Sequence, residues 1–456
     1  MLKRMTVTLL YLFLSLLSFL SSPSSLTKVL LGNSLLRENN FNLLNNHRIG
    51  ILSNPTGVFD DTLEHIVDTI HDYQRLHASS PPFELVAIFS PEHGFRGEKQ
   101  AETSDPPFYI DIYTKLPVIS AYLLSTENIT SVIDDLNLTM IVTDIQDVGV
   151  RLYTFIWTMY KVMQSAANSN NRNDIQFVVC DRPNPLGGDL VDGPILDTSC
   201  CQSGYGMSPI PHIHGMTIGE LSALMNSNAS TSDGFISPPL QNLVVLPMRN
   251  YQRSMRWPET GLAWVPPSPN IPTPNTALSY ASSVFFEATT ISEGRGTTTP
   301  FQLFGAPFLD APTLAKALNQ VYRNMSSSSF TLSDNGPMNA IPSFRAAYYE
   351  PIFSKYNNSV VSGVQWVDDR LQPTFMVALQ MLIVTKQLSP DGAFQWDGVW
   401  FGHPGTELID EYMGTPHVRE MIDDGANAQD IYDTCVRNDL KNFLAFRDEF
   451  LIGDYL

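Results

Sequence analysis

The stretch LTMIVTDIQDVGVRLYTFIWTMYKVMQSAAN, residues 138–168, changes its period halfway along. Leu138 to Ile145 is an apolar run with β-branched residues, the pattern of a parallel strand buried on both faces. From Arg151 to Asn168 the chain reads as a helix. A strand that runs into a helix is half of a repeating unit, and the unit recurs. The runs HRIGILSN (47–54), FELVAIFS (83–90), LPVIS (116–120), IQFVVCD (175–181) and LQNLVVLPM (240–248) are equally short, apolar and bounded by turn residues. Between the first two, DTLEHIVDTIHDYQRLH (61–77) places Leu63, Ile66, Val67, Ile70 and Tyr73 at helical spacing. Thr217 and Glu220 form a capping box at the head of TIGELSALMN. This alternation predicts an α/β fold built on an open, doubly wound, mainly parallel sheet.

The stretch WVPPSPNIPTPN (264–275) holds five prolines in a dozen residues. Proline fixes φ and removes donors, so an extended connector is expected, and with it a boundary between residues 26–265 and 266–456. Beyond it, PTLAKALNQVYRNM and PTFMVALQMLIVTKQL read as helices starting at Pro312 and near Pro373. The remainder reads as short strands and loops.

The chain is 43% hydrophobic and 16% charged, enough to bury a full core. Its net charge of −19 argues against a nucleic-acid groove or an anionic membrane surface. Lys3 and Arg4 precede the apolar stretch VTLLYLFLSLLSFL and the small residues SSPSS, so residues 1–25 read as a signal peptide. No later segment approaches the roughly 20 apolar residues that a spanning helix needs. A secreted protein, with no stable membrane insertion after signal removal, is expected. Sequons at Asn128, Asn137, Asn228, Asn324 and Asn357 agree with that route. Of four cysteines, Cys180 ends an apolar run and is expected to be buried and inert; Cys200, Cys201 and Cys435 could supply one disulfide.

In an open parallel sheet, ligands bind beyond the carboxyl ends of the strands. The residues that follow each run here are polar. The first run ends in Asn54. The second enters PEHGFR and offers Glu92, His93 and Arg96. The fourth offers Asp144, Gln146, Asp147 and Arg151, and the fifth Asp181, Arg182 and Asn184. Each has a structural reading as well: Asp181–Arg182 as an ion-paired turn, Asp144 as a helix cap. His212 and His214 lie in PIPHIHGMT, and FFEATTISEGRGTTTP sets Glu287, Glu293 and Arg295 beside a glycine-rich loop. There is no G-x-S-x-G elbow and no nucleotide-binding glycine loop. A sheet edged with carboxylates but lacking those devices suggests hydrolysis of a neutral or sugar-like substrate by paired acids.

Seven motifs then converge. SNPTGV (53–58), SPEHGFRG (90–97), DIQDVGVRLYT (144–154), DRPNPLGG (181–188), HGMTIGEL (214–221), WVPPSPNIPT (264–273) and SEGRGTTTPF (292–301) together resemble the exo-β-N-acetylmuramidase (NamZ-like) family of peptidoglycan hexosaminidases. The resemblance runs from about residue 47 to the C-terminus. It implies a Rossmann-like first domain and a smaller α/β second domain completing the cleft. No cofactor is expected, and no metal, since there is no C-x-x-C pair and His212 and His214 lack a third ligand at known spacing. The implied reaction is removal of β-1,4-linked N-acetylmuramic acid from the non-reducing end of a peptidoglycan-derived muropeptide or disaccharide. It also implies that Glu92 is catalytic.

For the partner acid, Asp144, Asp147 and Glu293 stay open, as does attack by the substrate's own 2-acetamido group, and His93 is an alternative proton donor. Arg295, then Arg151, are the candidates for the lactyl carboxylate. Asn54, Arg96, Asp147, Asp181, Arg182, Asn184, His214 and Asn270 complete the expected contacts. The signal segment, the sequons and the extra cysteines depart from the family pattern and point to secretion or a lysosomal or endosomal lumen, and the loop DTSCCQSGYGMSP (197–209) departs from it as well. Two rival readings are a non-catalytic glycan-binding protein on the same fold and a metal-dependent hydrolase using His93, His212 and His214.

Overall fold

The computed structural model describes residues 28–100, 106–227, 234–327, 343–367, 374–398, 405 and 407–455. The expected signal segment lies outside them. The first domain is a seven-stranded sheet containing β1 (Arg48–Ser53), β2 (Glu84–Ser90), β3 (Phe108–Ile110), β4 (Pro117–Ser120), β5 (Met140–Asp144) and β6 (Gln176–Cys180). Two further strands, β7 (Asp192–Ile195) and β8 (Pro211–Ile213), form a separate ribbon, and β9 (Leu243–Leu246) completes the sheet. The spatial order is β3-β4-β2-β1-β5-β6-β9, with every pair parallel except the antiparallel edge strand β3. From β1 the chain winds outward through β2 to β4. It then crosses back to lay β5 on the other side of β1. The switch point is therefore between β1 and β5, where the crevice of such a sheet opens.

The strands are apolar throughout because both faces are covered. Ile49, Ile51, Ile88, Val142 and Val178 pack with Ile66, Val67 and Ile70 on one side. Leu52, Phe89, Ile141, Phe177 and Val179 pack with Phe155, Trp157, Met159 and Val162 on the other. The helix on the first side spans Ile66–Leu76, shorter than its pattern, because His65 caps it through Nδ1 and Leu63 sits exposed at φ +59°. The helix on the second side starts at Phe155, not Arg151. The capping box of Thr217 and Glu220 heads Ile218–Met225 as expected.

The second domain has an antiparallel sheet of β10 (Leu303–Ala306), β11 (Phe344–Tyr349) and β12 (Val361–Trp366), in the order β10-β12-β11. The helices Ala311–Ser327 and Phe375–Leu388 match the expected positions. The last segment does not match: in place of strands and loops it forms Glu407–Met413, His417–Asp423, Ala428–Cys435 and Arg437–Arg447. These are helices of two to three turns, too short to show a clear period in sequence.

The two domains are tied together by buried polar groups. Asp192, in β7, accepts from the Phe375 amide at 2.8 Å and from the Tyr432 hydroxyl at 2.8 Å. The C-terminal segment returns to the first domain, where Tyr455 donates to Asp181 at 2.8 Å. Cys200 and Cys201 form a disulfide between chain neighbours, while Cys180 is buried and free and Cys435 is free.

Candidate active site

Glu92 follows β2 in the row of strand ends where Asn54 follows β1, Asp144 closes β5 and Asp181 follows β6. The register Ser53↔Asp144 and Leu52↔Phe89 sets these ends level. Glu92 is half-buried, and its Oε2 accepts a hydrogen bond of 2.8 Å from Thr154 Oγ1. No cation pairs with it among the described residues. Next to it His93 takes φ +73°, in the left-handed region that few residues other than glycine adopt. Its Nδ1 lies 3.2 Å from the Lys99 carbonyl, so the loop is closed on itself.

Thr154 ends the loop that joins β5 to the helix Phe155–Asn168. Asp147 lies at the other end of that loop. Its Oδ2 accepts from the Gly149 amide at 2.7 Å and from His214 Nε2 at 3.0 Å. Its Oδ1 is buried and takes no hydrogen bond. Tyr153, 7% exposed, lies within range of the Glu92 and Asp147 charges. Burial pushes its hydroxyl well above the usual tyrosine range. The Glu92 and Asp147 carboxylates push the same way, against a lowering contribution from Ser268. That hydroxyl closes no hydrogen bond of ordinary geometry. Tyr280 of the second domain packs edge-on to Tyr153 with centroids 6.1 Å apart. Tyr280 also feels the charges of Glu92, Glu287 and Arg295. The two domains meet here.

Sequence comparison agrees with this geometry. Residues 49–275 match the family described as exo-beta-N-acetylmuramidase NamZ, N-terminal, and residues 278–452 match its C-terminal counterpart. The chain belongs to the NamZ family. It is 35% identical over 413 residues to the peptidoglycan beta-N-acetylmuramidase NamZ of Bacillus subtilis, covering 90% of this chain and 87% of that one. Crystal structures of two DUF1343 family proteins from Bacteroides fragilis superpose with TM-scores of 0.75 and 0.65, at 29% and 28% identity. Each covers 93% of this chain, and 99% of each is covered in return.

Within this NamZ-family fold, many of the expected site residues are engaged by other residues of the chain. Asp144 is fully buried, its Oδ1 2.5 Å from Arg182 Nε and its Oδ2 receiving Asn33 Nδ2 at 2.9 Å. Both its oxygens are engaged, and the ion-pair partner of Arg182 is Asp144, not Asp181. Asp181 instead accepts from Gly219, Thr217 and Tyr455 at the head of the helix Ile218–Met225. Burial, with Glu220 nearby, raises it to about 7. Asn184 shapes its own turn, donating to Met216 O at 3.0 Å and accepting from the Leu186 amide at 2.9 Å. Arg96 grips Asp68 and Asp111 with both sides of its guanidinium, all four bonds at 2.8–2.9 Å. It clamps the glutamate loop to the fold and has no fork left for a ligand.

The two arginine candidates are engaged in the same way. Arg151 has no exposed surface; it donates to the carbonyls of Glu411 and Tyr412 across the domain boundary, and burial lowers its pKa. Arg295 donates to Glu287 at 2.5 and 2.8 Å and lies 3.7 Å from Glu293. Glu293 in turn stands 3.2 Å from Lys355 and is 1% exposed, so it is an ion-pair member and not an available acid.

The histidines do not assemble a metal site. His212 is pushed down to about 3, by burial first, and its Nε2 bonds Ala281 O at 2.6 Å. His214 has both ring nitrogens engaged, with Asp147 and with the Met216 amide. Among the described residues no group of three His, Cys, Asp or Glu could hold a metal ion. Asn54 and Asn270 keep buried, unpartnered Nδ2 groups, as donors waiting for an acceptor would. The reading from sequence passed over Tyr153, Thr154, Ser268 and Tyr280. The first two stood inside the quoted motif DIQDVGVRLYT, but a neutral hydroxyl carries no charge pattern to single it out.

Proposed function

We propose that this protein is a glycoside hydrolase that releases β-1,4-linked N-acetylmuramic acid from the non-reducing end of peptidoglycan fragments, with Glu92 as proton donor. The observation that carries the reading is the isolation of Glu92. It is an acid at the crevice of the sheet, at the meeting of both domains, held by one hydroxyl and matched by no cation among the described residues. A proton donor must reach a leaving oxygen and so cannot be locked in an ion pair. The named activity of the Bacillus subtilis relative supports the same chemistry. The N-terminal signal pattern and the exposed sequons Asn128, Asn137 and Asn357 support a secreted glycoprotein or one delivered to a lysosomal or endosomal lumen. The test is release of N-acetylmuramic acid by wild type and Glu92→Gln. The variant should lose about 100- to 10,000-fold on a disaccharide, and less on an aryl glycoside whose phenolate leaves without a proton. Near-wild-type turnover of the disaccharide by Glu92→Gln would end the assignment.

A further inference from the structure

We propose that Asp147 and Tyr153 hold the 2-acetamido group of the sugar being released, and that this acetamide, not a second carboxylate of the protein, attacks the anomeric carbon. The inference rests on the muramidase reading and goes beyond it, since it fixes the nucleophile and the stereochemistry.

Consider first what the protein leaves for that role. Asp144 and Glu293 are buried and ion-paired with Arg182 and Lys355. Glu293 Oε2 makes no hydrogen bond, but the Lys355 ammonium stands 3.2 Å from it. Asp147 has no lysine or arginine partner among the described residues. The Met216 amide donates to His214 Nδ1 at 3.2 Å, so the imidazole proton sits on Nε2 and points at Asp147 Oδ2. The Gly149 amide donates to the same oxygen. One oxygen is thus doubly held while the other, Oδ1, is buried with no donor. A buried carboxylate oxygen left in this state is costly, and native proteins rarely tolerate it without cause. His214 and Gly149 fix the carboxylate in place, and its open lone pairs await an N–H.

An acetamide presents one N–H donor and one carbonyl acceptor. Asp147 Oδ1 fits the first. Tyr153 Oη, buried within range of the Asp147 charge, with Ser268 near it and no hydrogen bond of ordinary geometry, fits the second. The two lie on the loop that also fixes Glu92 through Thr154, so proton donor and acetamide holder share one rigid support. The reaction then balances with these groups alone. The acetamide oxygen bonds to C1 as the bond from C1 to the leaving oxygen breaks, and the Glu92 proton passes to that oxygen. The oxazolinium formed keeps its N–H on Asp147, whose charge offsets the new positive charge. In the second half Glu92 takes a proton from water, the water oxygen bonds to C1, and the bond from C1 to the acetamide oxygen breaks. One water is added and the β configuration is retained.

The test uses the full-length protein and aryl β-muramides carrying acetyl, fluoroacetyl, difluoroacetyl and trifluoroacetyl groups on nitrogen. Fluorine withdraws electrons from the attacking oxygen. Wild type should lose kcat/KM progressively along the series, and proton NMR should show the β anomer of the sugar first. Asp147→Asn, which keeps the side chain's shape, should lose about 100- to 10,000-fold in kcat with its Tm little changed. An α anomer formed first, a rate indifferent to fluorine, or near-wild-type turnover by Asp147→Asn overturns the inference and leaves the muramidase reading intact. If Asp147→Asn does not fold, the two wild-type measurements decide. If wild type releases no muramic acid from any of these glycosides, both readings fall.

Discussion

The carboxyl edge of the sheet carries acids of two kinds, and at Asp144 and Asp147 the two stand three residues apart in sequence. On the β5–β6 side, Asp144 has both oxygens bonded, to Arg182 and Asn33. Asp181 takes four donors: the amides of Arg182 and Gly219 and the hydroxyls of Thr217 and Tyr455. Glu220 behind them is gripped by Arg253. Over the crevice, Glu92 has a single hydroxyl and Asp147 has one oxygen with none. A carboxylate has about four acceptor positions. Where both oxygens hold a donor the acid is part of the framework; where a buried oxygen holds none, stability alone does not explain it. How the donors are shared between the two oxygens separates Asp144 from Asp147 where residue type and position could not.

The sharpest way to break that distinction is to strip a partner from each side. Arg182→Ala leaves Asp144 buried and uncompensated, and removing one member of a buried pair costs about 3–5 kcal/mol. Glu92→Gln removes a carboxylate that no cation among the described residues neutralises, so its stability should stay within about 0.5 kcal/mol of wild type. Urea unfolding of both variants measures this. If Arg182→Ala is as stable as wild type, filled acceptors do not mark framework acids in this protein.

The same contrast explains what could be read from the sequence. The parallel strands were legible because two buried faces impose an unbroken apolar run, and Ile49, Ile51, Val142 and Val178 obey that rule. Glu92 was legible because the strand ends abruptly in Pro-Glu-His. What sequence could not show is which acid meets which base, since Arg182 reaches back 38 residues to Asp144 rather than to its neighbour Asp181. Arg96, Arg151 and Arg295 look alike in sequence as forks beside a crevice, yet all three are consumed by contacts that only folding creates. The four C-terminal helices were missed because elements of 7 to 11 residues leave too few turns for a period.

A second comparison uses pH on the filled side. Burial, reinforced by Glu220, raises Asp181 to about 7, against about 3.9 in an unfolded chain. Between those values the folded state binds the proton and the unfolded state does not. The contribution is therefore fully present below about pH 4 and is lost as pH rises through 7, by about 1.4 kcal/mol per unit. Asp181→Asn cannot titrate. Its deficit relative to wild type should shrink between pH 5 and pH 7, by roughly 2–3 kcal/mol. Denaturant curves at the two values test it, and a constant gap would show that Asp181 is ionised throughout.

The smallest effect concerns the open side. Thr154 stands at the head of the helix Phe155–Asn168 but makes no side-chain capping bond there. Its hydroxyl goes to Glu92 instead, at 2.8 Å. Valine keeps the branched shape and removes only that donor. The helix should not notice, so Tm should move by little. Glu92 would lose the bond that holds its carboxyl in one orientation. A hydrogen bond to an acid is worth about 1.5–3 kcal/mol at most, and a proton donor can find part of that elsewhere. Thr154→Val should therefore lower kcat/KM on a muramoyl disaccharide by roughly tenfold, which is about 1.4 kcal/mol. Thr154→Ser, which returns the hydroxyl without the methyl, should recover most of it. A valine variant as active as wild type would mean that Glu92 is held by the cleft and not by Thr154. A serine variant as weak as valine would put the loss in packing rather than in the hydrogen bond.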